Sequence, residues 1–279
     1  MAKVLRRKLC QVGGCFATAL DGCFGSEDAA LKVPYSHDPL NSWVLFYSQP
    51  VVNHFVCKAN RSGLQVALHA IGDAAVEQAI KAFEAAFTDF PRQDHRHIII
   101  HADLIPAPLL ERAASLGLHM AVQTPFLYWK QEPMSYLQRI LGDRAGTLIP
   151  LRSMLAHGLI IAGGSDAPCT LPNPMMGVHA ACNHPNPDER ISVIDALQMH
   201  TAWAARFSFD EEDRGTLQKR KSADFVVLDR NPLSIPEDTL KQTKVVGLYV
   251  GGKLYSSTMR GPKDLLFASI QDIITGGRQ

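Results

Sequence analysis

The fold is decided between Gly63 and His101, where the sequence reads GLQVALHAIGDAAVEQAIKAFEAAFTDFPRQDHRHIIIH. Leu64-Gln65-Val66-Ala67-Leu68 follows a glycine and reads as a strand. Behind it Ala74, Ala75, Val76, Ala79, Ile80 and Phe83 recur at helical spacing, so a helix comes next. His97-Ile98-Ile99-Ile100-His101 then supplies a β-branched run suited to a strand buried on both faces. Strands alternating with helices make βαβ units and a parallel sheet.

The alternation continues on both sides. Pro106 and Pro108 stand near the start of a helix through Leu109, Leu110 and Ala113, which Gly117 ends. Leu118 to Gln123 forms another strand, and after a longer loop and a helix from Leu151 to Ala156, Leu159 to Gly163 forms one more. Upstream, the stretch ending near Ala17-Thr18-Ala19 reads as a strand as well. Beyond residue 190 the character changes. Ile194 to Ala205 predicts a helix carrying His200, Thr201 and Trp203, and Ala223 to Leu228 is strand-like. Val245 to Tyr249, Gly251-Gly252 and Lys253-Leu254-Tyr255 predict a tight hairpin, because a glycine pair readily supplies positive φ.

Polar residues fall repeatedly at predicted strand ends: His69, His101, Gln123 and Asp166. Barrels place their chemistry at the C-terminal ends of the strands, but doubly wound open sheets do so too, and this placement alone leaves both folds open. An imidazole at a strand tip can offer a nitrogen lone pair to a metal, whereas a lone histidine is more often a satisfied, semi-buried one. His69 and His101 on adjacent parallel strands change that balance, because both stand at the same end. Asp166 follows Gly163-Gly164-Ser165; a carboxylate there can bind a metal or take a proton from water, or simply cap a helix in a Ser-Asp-Ala-Pro turn. Taken together on barrel geometry, His69, His101 and Asp166 read as a site. Tyr128, Trp129 and His179 serve equally well as pocket or packing residues.

LHAIGDAA, RHIIIHADLI and IIAGGSDAP, in this order, resemble the amidohydrolase superfamily, and within it the branch called amidohydrolase family 3, which includes N-substituted formamide deformylases. HTAWAARFSFDEEDRGTLQKRKSADFVVLDRNPL is similar to that family's closing segment, and the resemblance spans roughly residues 16–257. It implies an α/β fold: an incomplete (β/α)8 TIM-type barrel, about its last five strands, over residues 1–215, with a small C-terminal β-sandwich portion over 216–279. It further implies hydrolysis of amide or other C–N bonds by water activated on zinc or another divalent metal. By motif, His69 and His101 correspond to the metal ligands of the fifth and sixth strands, and Asp166 to the eighth-strand general base and frequent ligand. The departures are specific. No His-x-His precedes His69, and the one such spacing, His95-Arg96-His97, falls at the opposite end of its strand. The position of the family's metal-bridging lysine falls at Ala17, and Ile100 stands where a glutamate commonly precedes the sixth-strand histidine. A catalytic zinc takes about three protein ligands plus water, so this set is expected to be incomplete.

Composition bounds the alternatives. The 279 residues carry 28 Lys plus Arg against 27 Asp plus Glu, which gives no electrostatic footprint for nucleic acid. No apolar run is long enough to span a bilayer. Lys3, Arg6, Arg7 and Lys8 ahead of a mildly apolar stretch have some marks of a signal peptide, but Gln11 and Gly13-Gly14 interrupt it. Six cysteines without a CxxC pair point to reduced thiols in a cytoplasmic protein, with Cys169 and Cys182 able to line a site but more in character as small buried residues. No Gly-x-Ser-x-Gly elbow or Walker loop supports a different hydrolase chemistry. Two readings follow: a truncated metal-dependent hydrolase of small amide-type substrates, and a catalytically inactive remnant acting as a binding module. An open barrel has two strand edges, so self-association or a complementing N-terminal chain is expected.

Overall fold

In the computed structural model, residues 11–41 and 44–255 are described, excepting the side chains of residues 11 and 14–17. The basic cluster at residues 3–8, Cys10, the Ala17 side chain and the segment after Tyr255 lie outside the described residues. The chain enters through β1 (Gln11–Ala19), α1 (Gln49–Arg61) and β2 (Gln65–Ala70). The βαβ unit read from the sequence is β2, α2 (Asp73–Asp89) and β3 (Ile98–His101). Then come α3 (Ala107–Ser115), β4 (His119–Val122), α4 (Met134–Leu141), α5 (Leu151–Ala156) and β5 (Ile160–Gly163).

These five strands are parallel and lie in the order β1-β2-β3-β4-β5. Every crossover therefore advances one place in the same direction. A doubly wound sheet reverses that direction at a switch point, so the order itself selects the barrel arrangement. The sheet's two faces are finished differently. Val66, Leu68, Ile99, Met120 and Ile161 on one face join Val76, Ile80 and Phe83 of α2 in the main core. On the other face Ala67, Ile98 and Ala162 form a smaller cluster with Phe207.

The C-terminal part begins with α6 (Pro174–Cys182), α7 (Val193–Met199) and α8 (Ala202–Phe207). The single helix expected over 194–205 is thus two, broken at His200 and Thr201; the φ of −134° and ψ of −95° at Thr201 are not helical. β6 (Phe225–Leu228), β7 (Val245–Val250) and β8 (Lys253–Leu254) form a separate antiparallel sheet. Its hairpin turns through Gly251 and Gly252 at φ of +58° and +77°, the left-handed pair that two glycines permit without strain. A space of about 1110 Å³ lies against this sheet, lined by Val226, Leu248 and Val250 among others, and shares none of the residues of the cleft that holds His69 and His101. No helix among the described residues is long and apolar enough to cross a membrane.

His95-Arg96-His97 sits at the start of β3, away from the strand tips, and its imidazoles are structural. His97 Nδ1 accepts from Val66 N–H at 3.0 Å and its Nε2 meets Asn60 Oδ1 at 3.1 Å. His95 Nδ1 accepts from His97 N–H at 2.9 Å, and its Nε2 meets the Leu116 carbonyl at 2.9 Å. Burial, reinforced by His95, Arg92 and His119, pushes His97 down to about 3. The unfolded chain, with an ordinary imidazole, takes up a proton that the folded state refuses. Stability from this group is therefore present above about pH 6.5 and lost as pH falls towards about 3, by about 1.4 kcal/mol per pH unit. His101 and His119 are held low as well, so in denaturant titrations across this window His97→Gln is expected to reduce the pH slope of the chain by that one-proton share while lowering stability at neutral pH.

Candidate active site at the strand tips

Just after β1 the chain places Asp21, fully buried, where its carboxylate gathers three backbone donors. Oδ1 accepts from Ile71 N–H at 3.0 Å, and Oδ2 from Gly72 N–H at 2.8 Å and Ala30 N–H at 2.9 Å. Two of these donors lie in the turn between β2 and α2, immediately after His69. The third lies in the loop of residues 20–41, whose Ala29, Ala30 and Leu31 are fully buried. Gly72 admits that loop: a Cβ there would stand 2.0 Å from the Ala30 carbonyl oxygen.

Asp21 also faces the first candidate ligand, since His69 Nδ1 lies 3.5 Å from its Oδ1 and makes no hydrogen bond among the described residues. The rings of His69 and His101 meet edge to face, centroids 4.7 Å apart at 74°. Burial, then the neighbouring His69, pushes His101 down to about 3, so it is a neutral imidazole with ligand character. His101 stacks on Phe126 at 5.9 Å and Phe126 on Trp129 at 5.1 Å, which gives the site an aromatic wall.

Asp166 lines the same cleft as the two histidines, a space of about 290 Å³. It caps no helix: α6 is capped by Asn173, whose side chain accepts from Met175 and Met176 N–H, so the capping alternative fails. Instead Asp166 sits in a turn with φ of +52°, and His101 and Ala102 have φ of +71° and +52°. Left-handed backbone at residues with a Cβ carries strain of about 1–3 kcal/mol each, and here it clusters at one mouth. Cys169 is exposed and lines the cleft, the site-lining reading and not the small buried one; partial burial of its thiol, then the charge and hydrogen bond of the Asp166 carboxylate, push the thiol up. Cys182 is buried as expected.

The sequence therefore located His69, His101 and Asp166 in one cleft. Trp129 joins them; Tyr128 and His179 do not, packing on each other at 5.7 Å elsewhere. Gln123 is buried beside Gly164 and is not a lining residue. Ile100 packs with the inner-face cluster, so an apolar contact occupies the position before His101. Two acidic residues of the cleft escaped the sequence reading. Asp103 follows His101 by two places, which was the available signal; Glu132 comes from a loop with no motif. Burial, then Glu132, Asp21 and Asp166, hold the Asp103 carboxyl well above the usual range. Burial also raises Glu132, against a hydrogen bond from Gly25 N–H.

For a metal, the test is the donor set. The two imidazoles suit a divalent ion, and the His69 Nδ1 facing Asp21 resembles the carboxylate support that ligating histidines commonly have. No group of three His, Cys, Asp or Glu among the described residues is close enough to share one ion. The described residues thus offer a two-imidazole half-site with a carboxylate in the same cleft.

Parallel strands advancing singly, with ionisable side chains gathered at their C-terminal tips, define an α/β barrel-type protein whose candidate site lies at those tips. The model of the amidohydrolase family matches residues 13–255, and the chain belongs to that family. It is 29% identical over 252 residues to the putative amidohydrolase YtcJ of Bacillus subtilis (strain 168), covering 86% of this chain and 46% of that protein. It is 26% identical over 227 residues to N-substituted formamide deformylase of Arthrobacter pascens, covering 75% of this chain and 40% of that one. Among solved structures, an uncharacterized metal-dependent hydrolase from Pyrococcus furiosus superimposes with a TM-score of 0.69 at 27% identity, over 84% of this chain and 49% of that one. The chain thus spans less than half the length of these relatives, and its parallel strands are the later part of an amidohydrolase barrel.

Removing the Asp21 carboxylate leaves three buried N–H groups unpaired, each costing about 1–3 kcal/mol. Asp21→Ala is expected to lower unfolding free energy by at least about 3 kcal/mol in denaturant titrations. Amide exchange should accelerate at Ala30, Ile71 and Gly72 before the rest of the sheet.

Proposed function

We propose that this chain is the metal-binding, later part of a hydrolase acting on non-peptide C–N bonds of small amide-type substrates. The observation that carries the reading is the pair of imidazoles, ring centroids 4.7 Å apart, in a cleft they share with Asp166. His69 and His101 hold the divalent metal, zinc being the first candidate. The metal, when bound, supplies Lewis acidity towards the scissile group and the attacking water. Asp166 receives the proton of that water and returns it to the leaving nitrogen. Asp21 orients His69 through its Nδ1, and Phe126 with Trp129 shields one side of the cleft from solvent. The similarity to a formamide deformylase supports the C–N assignment, and the cleft's volume of about 290 Å³ suits a small substrate.

A second reading has its own support. Among the described residues the imidazole pair lacks a third protein ligand, as expected of a catalytically inactive remnant that keeps the scaffold for binding. The sheet also ends in β1 and β5 without further strand partners among the described residues, edges that a second copy or a complementing chain would pair.

Zinc uptake separates the two readings. The purified chain is expected to retain close to stoichiometric zinc after dialysis and to melt at a higher temperature with it, and His69→Asn and His101→Asn each to abolish both effects. A chain that holds no zinc and melts at the same temperature with and without it fits only the remnant.

A further inference from the structure

Asp103 and Glu132 have no part in the chemistry above, yet both face the cleft. Asp103 is only 5% exposed, and its Oδ1 meets no hydrogen-bond partner among the described residues. An unpaired polar atom in such a place is costly unless something arrives to complete it. The other carboxylates of the cleft are already engaged: Asp21 by three backbone N–H groups, Asp166 by the Cys169 thiol. Glu132 accepts from Gly25 N–H. No lysine or arginine is among the described residues that line the cleft, so its acidic groups have no cation of their own there.

A metal ion is a poor answer for these two carboxyls. No three His, Cys, Asp or Glu side chains among the described residues come close enough together to share an ion. The remaining wall is aromatic, with Phe24, Phe126 and Trp129 on it. Carboxylates combined with aromatic faces suit an organic cation, whose N–H groups bond to the oxygens while its carbon skeleton and charge rest on the rings.

We propose that Asp103 and Glu132 form a recognition site for a protonated amine on the molecule this cleft binds. The proposal deepens the hydrolase reading, and rests on it only in taking that molecule as the substrate. The class is then small C–N compounds carrying an aliphatic or arylalkyl ammonium group, and the site discriminates against neutral compounds of equal shape. The amine completes Asp103 Oδ1, and Glu132 supplies the second acceptor.

The test compares benzylamine, a cation at neutral pH, with benzyl alcohol, its neutral counterpart, binding to the full chain by calorimetry. Benzylamine is expected to bind at least about tenfold more tightly, the scale of one charge-assisted hydrogen bond. Asp103→Asn and Glu132→Gln are each expected to weaken benzylamine by about tenfold and leave benzyl alcohol unchanged. Glu132 is only half-buried, so its variant carries the test should Asp103→Asn fail to fold. Equal affinity for the two compounds, or unchanged benzylamine affinity in the folded variants, overturns the proposal. So does competition between zinc and benzylamine accompanied by loss of zinc uptake in Asp103→Asn, which would return the carboxyl to a metal. Amine preference without zinc uptake upholds this site while the hydrolase reading fails; zinc uptake without amine preference does the reverse.

Discussion

The Asp21 carboxylate is the constraint on which the rest of the site depends. It is fully buried, and its charge is offset by N–H groups from two separate segments, the 20–41 loop and the turn after β2. That arrangement fixes the loop over the strand tips and fixes the turn that carries the chain from His69 into α2. Because Oδ1 also faces His69 Nδ1, the same group that closes the fold sets the direction of the first candidate ligand. Stability and site geometry therefore meet in one side chain. Burying a carboxylate is tolerable only where hydrogen bonds replace its water, and here three do so.

Around this clamp the site is assembled from groups that a purely structural core would avoid. His101, Ala102 and Asp166 hold left-handed backbone without being glycine, and Asp103 keeps an oxygen unpartnered in the interior. The surrounding sheet over-determines these conformations: β3 is hydrogen-bonded on both sides, and Ala102 N–H donates to the Ala70 carbonyl at 2.9 Å. The opposite end of the strands is the reverse case. His95 and His97 there have partners on both ring nitrogens, and Gln65 donates to the Arg96 and Phe207 carbonyls. The ring nitrogens of His95 and His97 are satisfied, whereas His69 Nδ1 and Asp103 Oδ1 at the strand tips meet no hydrogen-bond partner among the described residues.

Much of this was legible in the order of residues. Short apolar runs separated by helical periodicity marked β2, α2, β3, α3, β4 and β5, and the glycine pair marked the last hairpin. His69, His101 and Asp166 were legible as a set because strand tips impose a shared end on residues far apart in sequence. The break between α7 and α8 was not, since its periodicity continues through His200 and Thr201 and only φ and ψ change. Asp166 had two readings in sequence, and only the position of the Asn173 cap, seven residues on, separated them. Glu132 had no motif at all; its place in the cleft follows from the path of a loop.

By itself, then, the sequence determined the strand–helix alternation and which residues stand at strand tips, because hydrophobic period and turn chemistry are local properties. The strand order, and with it the choice of barrel over doubly wound sheet, came only from long-range pairing. So did the convergence of Asp21, Asp103 and Glu132 on two histidines. Those contacts are made by segments whose spacing along the chain says nothing of their distance in space, and packing alone brings them together.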